Sequence, residues 1–287
     1  MTGDIPDHAS KIIGIDDLIV QVECLPSLPA IVMDLLASID DDNLDMTLLA
    51  RKVAHEQGLT AMALKFANSS FYGNNTRITT IQQAITLLGV THVRNLITTA
   101  ALSGCFPQSH CDGFDFKAFW RHSMATAVCA KVLARHLRLN QDIAFTAGLL
   151  HDIGRVALVV RFPRHYEQAI AYRAEHDCQM LDAERSILGV DHVMAGHLLA
   201  RHWNFPTAVR HAITSHHEPD AIGSGSIASL VNVANAIAHA LDLSEEEDDL
   251  VPTVSLSAWH AVGLDAITYM QVFRETELQF NEMRQVL

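Results

Sequence analysis

The 287-residue sequence has little that would build a sheet. Alternating runs of Val, Ile, Thr and aromatic residues between tight turns are scarce, which argues against a β-rich architecture. Cysteine is sparse too. Cys24, Cys105, Cys111, Cys129 and Cys178 are odd in number and show no CxxC spacing, so neither a disulfide framework nor a structural zinc knuckle is expected. Cys105, His110 and Cys111 share one loop but lack a second pair of ligands, and no metal is expected there. Positive charge is short: 20 Lys and Arg face 33 Asp and Glu, a net charge of −13. Such a surface repels phosphate backbones, so nucleic acid is not an expected partner. No apolar run reaches the roughly 18 residues of a membrane helix, and no membrane association is expected. The opening MTGDIPDHASK has no basic-then-apolar leader pattern. Together these absences predict a cytoplasmic protein.

Hydrophobic residues make up 49% of the chain, enough for a large core. They recur at helical spacing, which predicts an all-α fold. Pro29, Ile31, Leu35 and Leu36 mark one helical face, and 47–53 and 60–68 mark two more. The segment TTIQQAITLLGV has Thr80 as N-cap and Gly89 as stop, and another helix follows at once. Residues 1–105 therefore read as a lobe of about five helices. The Gly, Pro, Ser and Asp of 106–116 suggest a linker. A second helical lobe is expected over 117–243, with helices at 117–138, 142–153, 163–177, 179–187, 191–203, 206–217 and 226–242. Its short loops imply antiparallel neighbours. Residues 244–287 read as a solvated acidic loop, SEEEDDLVP, and a helical extension.

Seventeen histidines crowd toward the second half. A lone histidine on a helix is usually a satisfied core or surface residue. Here several fall at helix ends, where a bundle can gather side chains around one cavity. His122 sits near the start of one apolar helix. His151 and Asp152 end the next, within GLLHDIGRVAL. His192 opens a helix, His216 and His217 close another, and Asn232 and Asn235 lie three apart on one side of an apolar helix. Neutral imidazoles with a carboxylate form a borderline ligand set suited to Fe, Zn, Mn or Ni.

This order of residues resembles the HD superfamily of metal-dependent phosphohydrolases. It is most similar to the HDOD branch, the HD-related output domain of bacterial signalling proteins. LPSLPAIVMDLLASIDD, EQGLTAMALKFANSSFYG, ITTIQQAITLLGVTHVRNLI, HDIGRVAL, LGVDHVMAGHLLARHWNFP and AITSHHEP carry the resemblance, in order, over roughly residues 20–245. It implies an all-α, multi-helical HD-like domain with an N-terminal helical-bundle lobe. It implies metal ligation by His122, His151, Asp152, His192, His216 and His217, with Asn235 where the superfamily has its last aspartate. Asn232 fits that context less well. If the site is active, Asp152 is the group implied at the chemistry. The related HD-GYP branch hydrolyses cyclic di-GMP and has a phosphate-contacting lysine where Arg155 stands. A solvated helix-end arginine is the alternative for Arg155.

The sequence also departs from the pattern. Ala118 replaces an acidic residue found in some members, and HHEPDAIGSG lacks the Gly-Tyr-Pro signature. Asn235 leaves Asp152 as the only carboxylate in the set. Two divalent ions would bring four positive charges against one negative, so one metal or none is expected. The resemblance then favours a signalling output module with a protein partner, its input acting in trans. The competing expectation is a metal-dependent phosphohydrolase with a nucleotide or cyclic-dinucleotide ligand.

Overall fold

The computed structural model describes residues 12–37, 53, 60–61, 64, 68, 78–106, 110–219, 226–246 and 250–283. Among them there are fourteen α-helices and no strand. The helices expected at 47–53 and 60–68 fall largely outside the described residues.

Helices α1 (Ile15–Glu23), α2 (Ala30–Ala37), α3 (Ile81–Leu88) and α4 (Val90–Cys105) come from the first hundred residues. Thr80 caps α3 by accepting from Gln83 N, while Gln83 Oε1 accepts from Thr79 N. Such reciprocal caps satisfy backbone donors at a helix start that have no partner within the helix. Helix α1 does not stay with its sequence neighbours. Ile13 N donates to Leu188 O at 2.8 Å, and Trp203 Nε1 donates to Pro26 O at 3.2 Å. Arg94 pairs with Asp142, and one buried apolar cluster runs from Ile13 to Phe280. The segment at 106–116 joins that cluster: Cys111 is buried, and the Phe114 ring meets Tyr166 edge-on. Burial raises the Cys111 thiol pKa to about 11.

The centre of the molecule is α5 (Phe116–Leu137), capped by Asp115. It packs against α6 (Gln141–Leu150), α12 (Ser226–Ala240) and α14 (Ala266–Met283). Between them come α7 (Ile153–Arg161), α8 (Pro163–His176), α9 (Met180–Leu188), α10 (His192–His202) and α11 (Thr207–Ser215). Helix α13 (Leu256–Val262) packs on α12, and Trp259 stacks on Tyr269 of α14 at 4.2 Å. The C-terminal extension therefore docks on the core.

Two sequence expectations are corrected here. The apolar helix near 142–153 does not simply end at the His-Asp pair. It bends at His151 and Asp152 and resumes as α7, whose start the pattern left unmarked. Gln141–Arg161 then form a helical stretch of 21 residues, long enough to cross a membrane, whose most apolar 18-residue window has mean hydropathy 1.6. Asp152 and Arg155 hid it from a search for unbroken apolar runs. That window is 89% buried inside the protein, which accounts for its hydropathy.

Two glycines set the positions that matter for the site. A Cβ on Gly148 would lie 2.8 Å from Ala127 Cα and 2.9 Å from Thr126 O, so α5 and α6 touch backbone to backbone. A Cβ on Gly154 would lie 1.9 Å from His192 O, so α7 and α10 do the same. The first contact brings His122 to His151. The second brings Asp152 to His192.

Candidate metal centre

His122, His151, Asp152, His192, His216 and Asn235 are all buried, and His217 is half-buried. Asp152 stands in the middle. Its Oδ1 lies 3.1 Å from His216 Nε2 and 3.5 Å from the Nε2 atoms of His151 and His192. His217 Nε2 is 2.9 Å from His192 Nε2, and His122 Nε2 is 3.4 Å from His151 Nε2. Two groups of potential ligand atoms result, each within 4.8 Å: Asp152, His192, His216 and His217; and His122, His151 and Asp152. Asp152 belongs to both.

The tautomers follow from the outer partners. His151 Nδ1 faces Gly148 O at 2.8 Å, and His216 Nδ1 faces Ile213 O at 3.0 Å. A carbonyl only accepts, so both Nδ1 atoms carry the proton. His192 Nδ1 lies 2.6 Å from the buried Glu184 carboxylate, and the same assignment holds. Three Nε2 lone pairs therefore face the Asp152 carboxylate. Lone pair against lone pair is repulsive, and a cation between them relieves it. Asp152 Oδ1, His216 Nε2, His122 Nδ1 and Asn235 Oδ1 are also buried without a hydrogen-bond partner. Such orphaned groups are rare and need an explanation. Convergent, unsatisfied donor atoms with fixed tautomers fit a metal ion.

Burial also shapes the charge states. It depresses His122 well below the usual imidazole range and lowers His151 to about 4. Burial, reinforced by His216 and His192, lowers His217 too. His192 is the exception: burial opposes its charge, but Glu184 and Asp152 outweigh that and raise it. Burial also works against the Asp152 charge, yet His151, His192 and His216 hold it well below the carboxylate range.

The family model for the HDOD domain matches residues 25–219. The chain belongs to the HDOD family. An HDOD domain protein of unknown function from Geobacter sulfurreducens shares the fold, with a TM-score of 0.80 at 23% identity. The match covers 95% of this chain and 97% of that one. A candidate phosphohydrolase from Shewanella amazonensis SB2B superposes with a TM-score of 0.74 at 26% identity, covering 94% and 97%. An uncharacterised protein of Treponema pallidum (strain Nichols) is 25% identical over 199 residues, 69% of this chain. The matched part spans only 38% of that relative. The protein is thus an HD-superfamily module with a cluster able to hold a metal.

The remaining site residues of this HDOD domain divide clearly. Asn235 lines the same cavity as Asp152, His192 and His217. Asn232 faces away: its Nδ2 donates to His216 O at 2.7 Å, and its Oδ1 accepts from Ser255 N at 3.1 Å. It fixes the paired-histidine turn. Arg155 is not a solvated helix end. Its side chain is nearly buried, its Nε donates to Tyr166 Oη at 3.1 Å, and its Nη1 is 3.6 Å from Asp152 Oδ2. The guanidinium also lies over the Phe114 ring, 5.8 Å from its centre.

Four contributors were missing from the sequence reading. His239 lies one turn beyond Asn235, packs its ring at a tilt 4.2 Å from that of His122 and lines the cavity. The i, i+4 spacing from Asn235 could have revealed it. Glu184 and Tyr166 carried no local signal. Nor is the acidic loop entirely solvated. Glu246, Leu250 and Pro252 wall the cavity, Arg173 pairs with Glu246 at 3.7 Å, and Arg121 pairs with Glu245 at 3.0 Å.

Proposed function

We propose that this protein is a signal-transduction output module whose HD cluster holds one metal ion and does not turn over a phosphodiester. The size of the cavity at the cluster carries this reading. It is about 40 Å³, whereas pockets for small organic ligands are on the order of 300–1,000 Å³. Its narrow interior suits water or an ion rather than a nucleotide. A neighbouring cavity of about 620 Å³ is large enough, but Asp115, Asp177, Glu245 and Glu246 line it against Arg173 alone. That lining repels polyphosphates.

Charge supports the same conclusion. Asn235 adds none, and Arg155 already neutralises one oxygen of Asp152. Two-metal hydrolysis needs ions that clamp the attacking and leaving oxygens, and one shared carboxylate holds such a pair poorly. The ion when bound would polarise its ligands and lock them together. His192, His216, His217 and Asp152 would hold it, and Fe, Mn, Zn and Ni all suit that donor set. With catalysis set aside, the protein acts through its helical surface on a signalling partner in the cytoplasm.

The phosphohydrolase reading keeps one specific support, the Asp152 carboxylate shared between two ligand groups. Elemental mass spectrometry, on protein purified without a metal column, separates the two. One equivalent with no turnover of phosphodiesters or nucleotides is expected. Two equivalents of Fe or Mn with measurable turnover would overturn the proposal.

A further inference from the structure

Glu184 is completely buried on α9, eight residues before His192. Its Oε2 accepts from His192 N at 2.7 Å and from His192 Nδ1 at 2.6 Å. Its Oε1 accepts from Tyr166 Oη at 3.0 Å, and Tyr166 Oη accepts in turn from Arg155 Nε. Arg155 returns to Asp152 Oδ2. A ring of buried polar groups thus runs from Asp152 through one guanidinium and one phenol to Glu184 and on to His192, whose Nε2 faces Asp152 Oδ1 across a gap of 3.5 Å that a cation would close. Isolated buried carboxylates are costly, and this one persists because every lone pair toward the cluster is used.

We infer that Glu184 is a positioning residue of the metal centre, acting through His192, and that it supplies the second buried negative charge that Asn235 does not. The inference rests on the reading that the cluster holds a metal. A carboxylate on Nδ1 fixes the tautomer and raises the electron density at Nε2, making His192 a stronger ligand. In the other ligand group His151 leans on a neutral carbonyl, as does His216 beside His192, so His192 is the ligand backed by a carboxylate. The ion is therefore held on the His192 side of Asp152. Glu184 also pins the first residue of α10, so the ligand cannot drift when that helix moves.

The test is a chelator competition on the full-length protein loaded with Co(II), with visible absorption as a second readout. Glu184→Gln keeps the shape and removes the charge. It should weaken Co(II) binding by about 10–100-fold and shift the absorption bands, and Glu184→Asp should recover part of both. Tyr166→Phe breaks the same buried ring and leaves the Glu184 charge, so its affinity should stay within about threefold of the native protein's. Apo-protein melting curves confirm that each variant is folded. If Glu184→Gln binds as tightly as the native protein, or if Tyr166→Phe weakens binding equally, the inference fails while the metal reading stands. If the native protein binds no Co(II), the metal reading itself fails and takes the inference with it.

Discussion

The two sides of Asp152 are built alike and equipped differently. On one side, Gly148 lets α5 meet α6 and joins His122 to His151. On the other, Gly154 lets α7 meet α10 and joins Asp152 to His192. The second side also has His216, His217 and the Glu184 carboxylate. The first has the tilted ring of His239 against His122; Asn235, whose Oδ1 is unsatisfied, lines the cavity beside Asp152 and adds no charge. Geometry is conserved across the cluster and charge is not. A ligand constellation can keep its shape while one half loses the means to hold a cation, because packing fixes shape and carboxylates fix affinity.

The largest expected effect comes from closing the backbone contact on the stronger side. Gly154→Ala would push a methyl group into His192 O, where no side chain can yield. About 3 kcal/mol of destabilisation is expected, the upper end for overpacking, with loss of bound metal. Denaturant melts and metal content check it. Gly148→Ala should destabilise similarly by about 2 kcal/mol but leave the metal in place, because it disturbs the other side.

Ligand deletions sharpen the contrast. His217→Ala should weaken metal binding by more than about 100-fold, beyond the loss typical of an outer-shell partner. His122→Ala should retain one equivalent. Elemental analysis after gel filtration distinguishes them, and the reverse ranking would place the ion on the wrong side for this account.

The imidazoles of the metal-free cluster also respond to acid in two ways, with His192 set apart from the rest of the shifted ones. His122 and His151 bind protons more weakly folded than unfolded. As pH falls below about 6.5, the unfolded chain takes up those protons first and stability is lost, for His151 until about pH 4, and His217, lowered likewise, adds to the loss. His192 has a raised pKa, so its contribution is complete below about 6.5 and disappears as pH rises through the folded value. Between pH 6.5 and 4 the His192 share does not change, so the loss stands uncompensated, on the order of 3 kcal/mol for His151 alone, measurable by urea melts. His151→Gln should flatten the acid limb, and Glu184→Gln should steepen it.

Much of this was legible from sequence because helices announce themselves locally. Periodicity gave the all-α class, and Thr80 and Gly89 bounded α3 as expected. The ordered histidines and Asp152 signalled a cluster, and the structure brings them together. What escaped depends on contacts between distant segments. The start of α7 was masked because the bend falls on the two residues that carry the chemistry. Glu184 and Tyr166 look like ordinary helix residues until α8 and α9 are laid beside α10. The acidic 244–252 segment reads as solvated because nothing local tells that Arg121 and Arg173 wait for it.

The smallest expected change is also the most discriminating. Asn235→Asp adds a carboxylate to the cavity wall shared with Asp152 and His239, with almost no change in volume. In the metal-free protein the new group is buried near Asp152, so the melting temperature should fall slightly. With metal present, a second and weaker equivalent should bind, because the cluster regains a carboxylate. Turnover of a phosphodiester should still be absent, since the substitution does not enlarge the cavity of about 40 Å³. A second equivalent without turnover would separate two independent losses, one of charge at Asn235 and one of access beneath Glu246, Leu250 and Pro252. Turnover in the variant would show that charge alone silences the centre and that the wall opens readily. No second equivalent would mean that His122 and His151 have already settled into a hydrogen-bonded pair, and that this side of the cluster is structural.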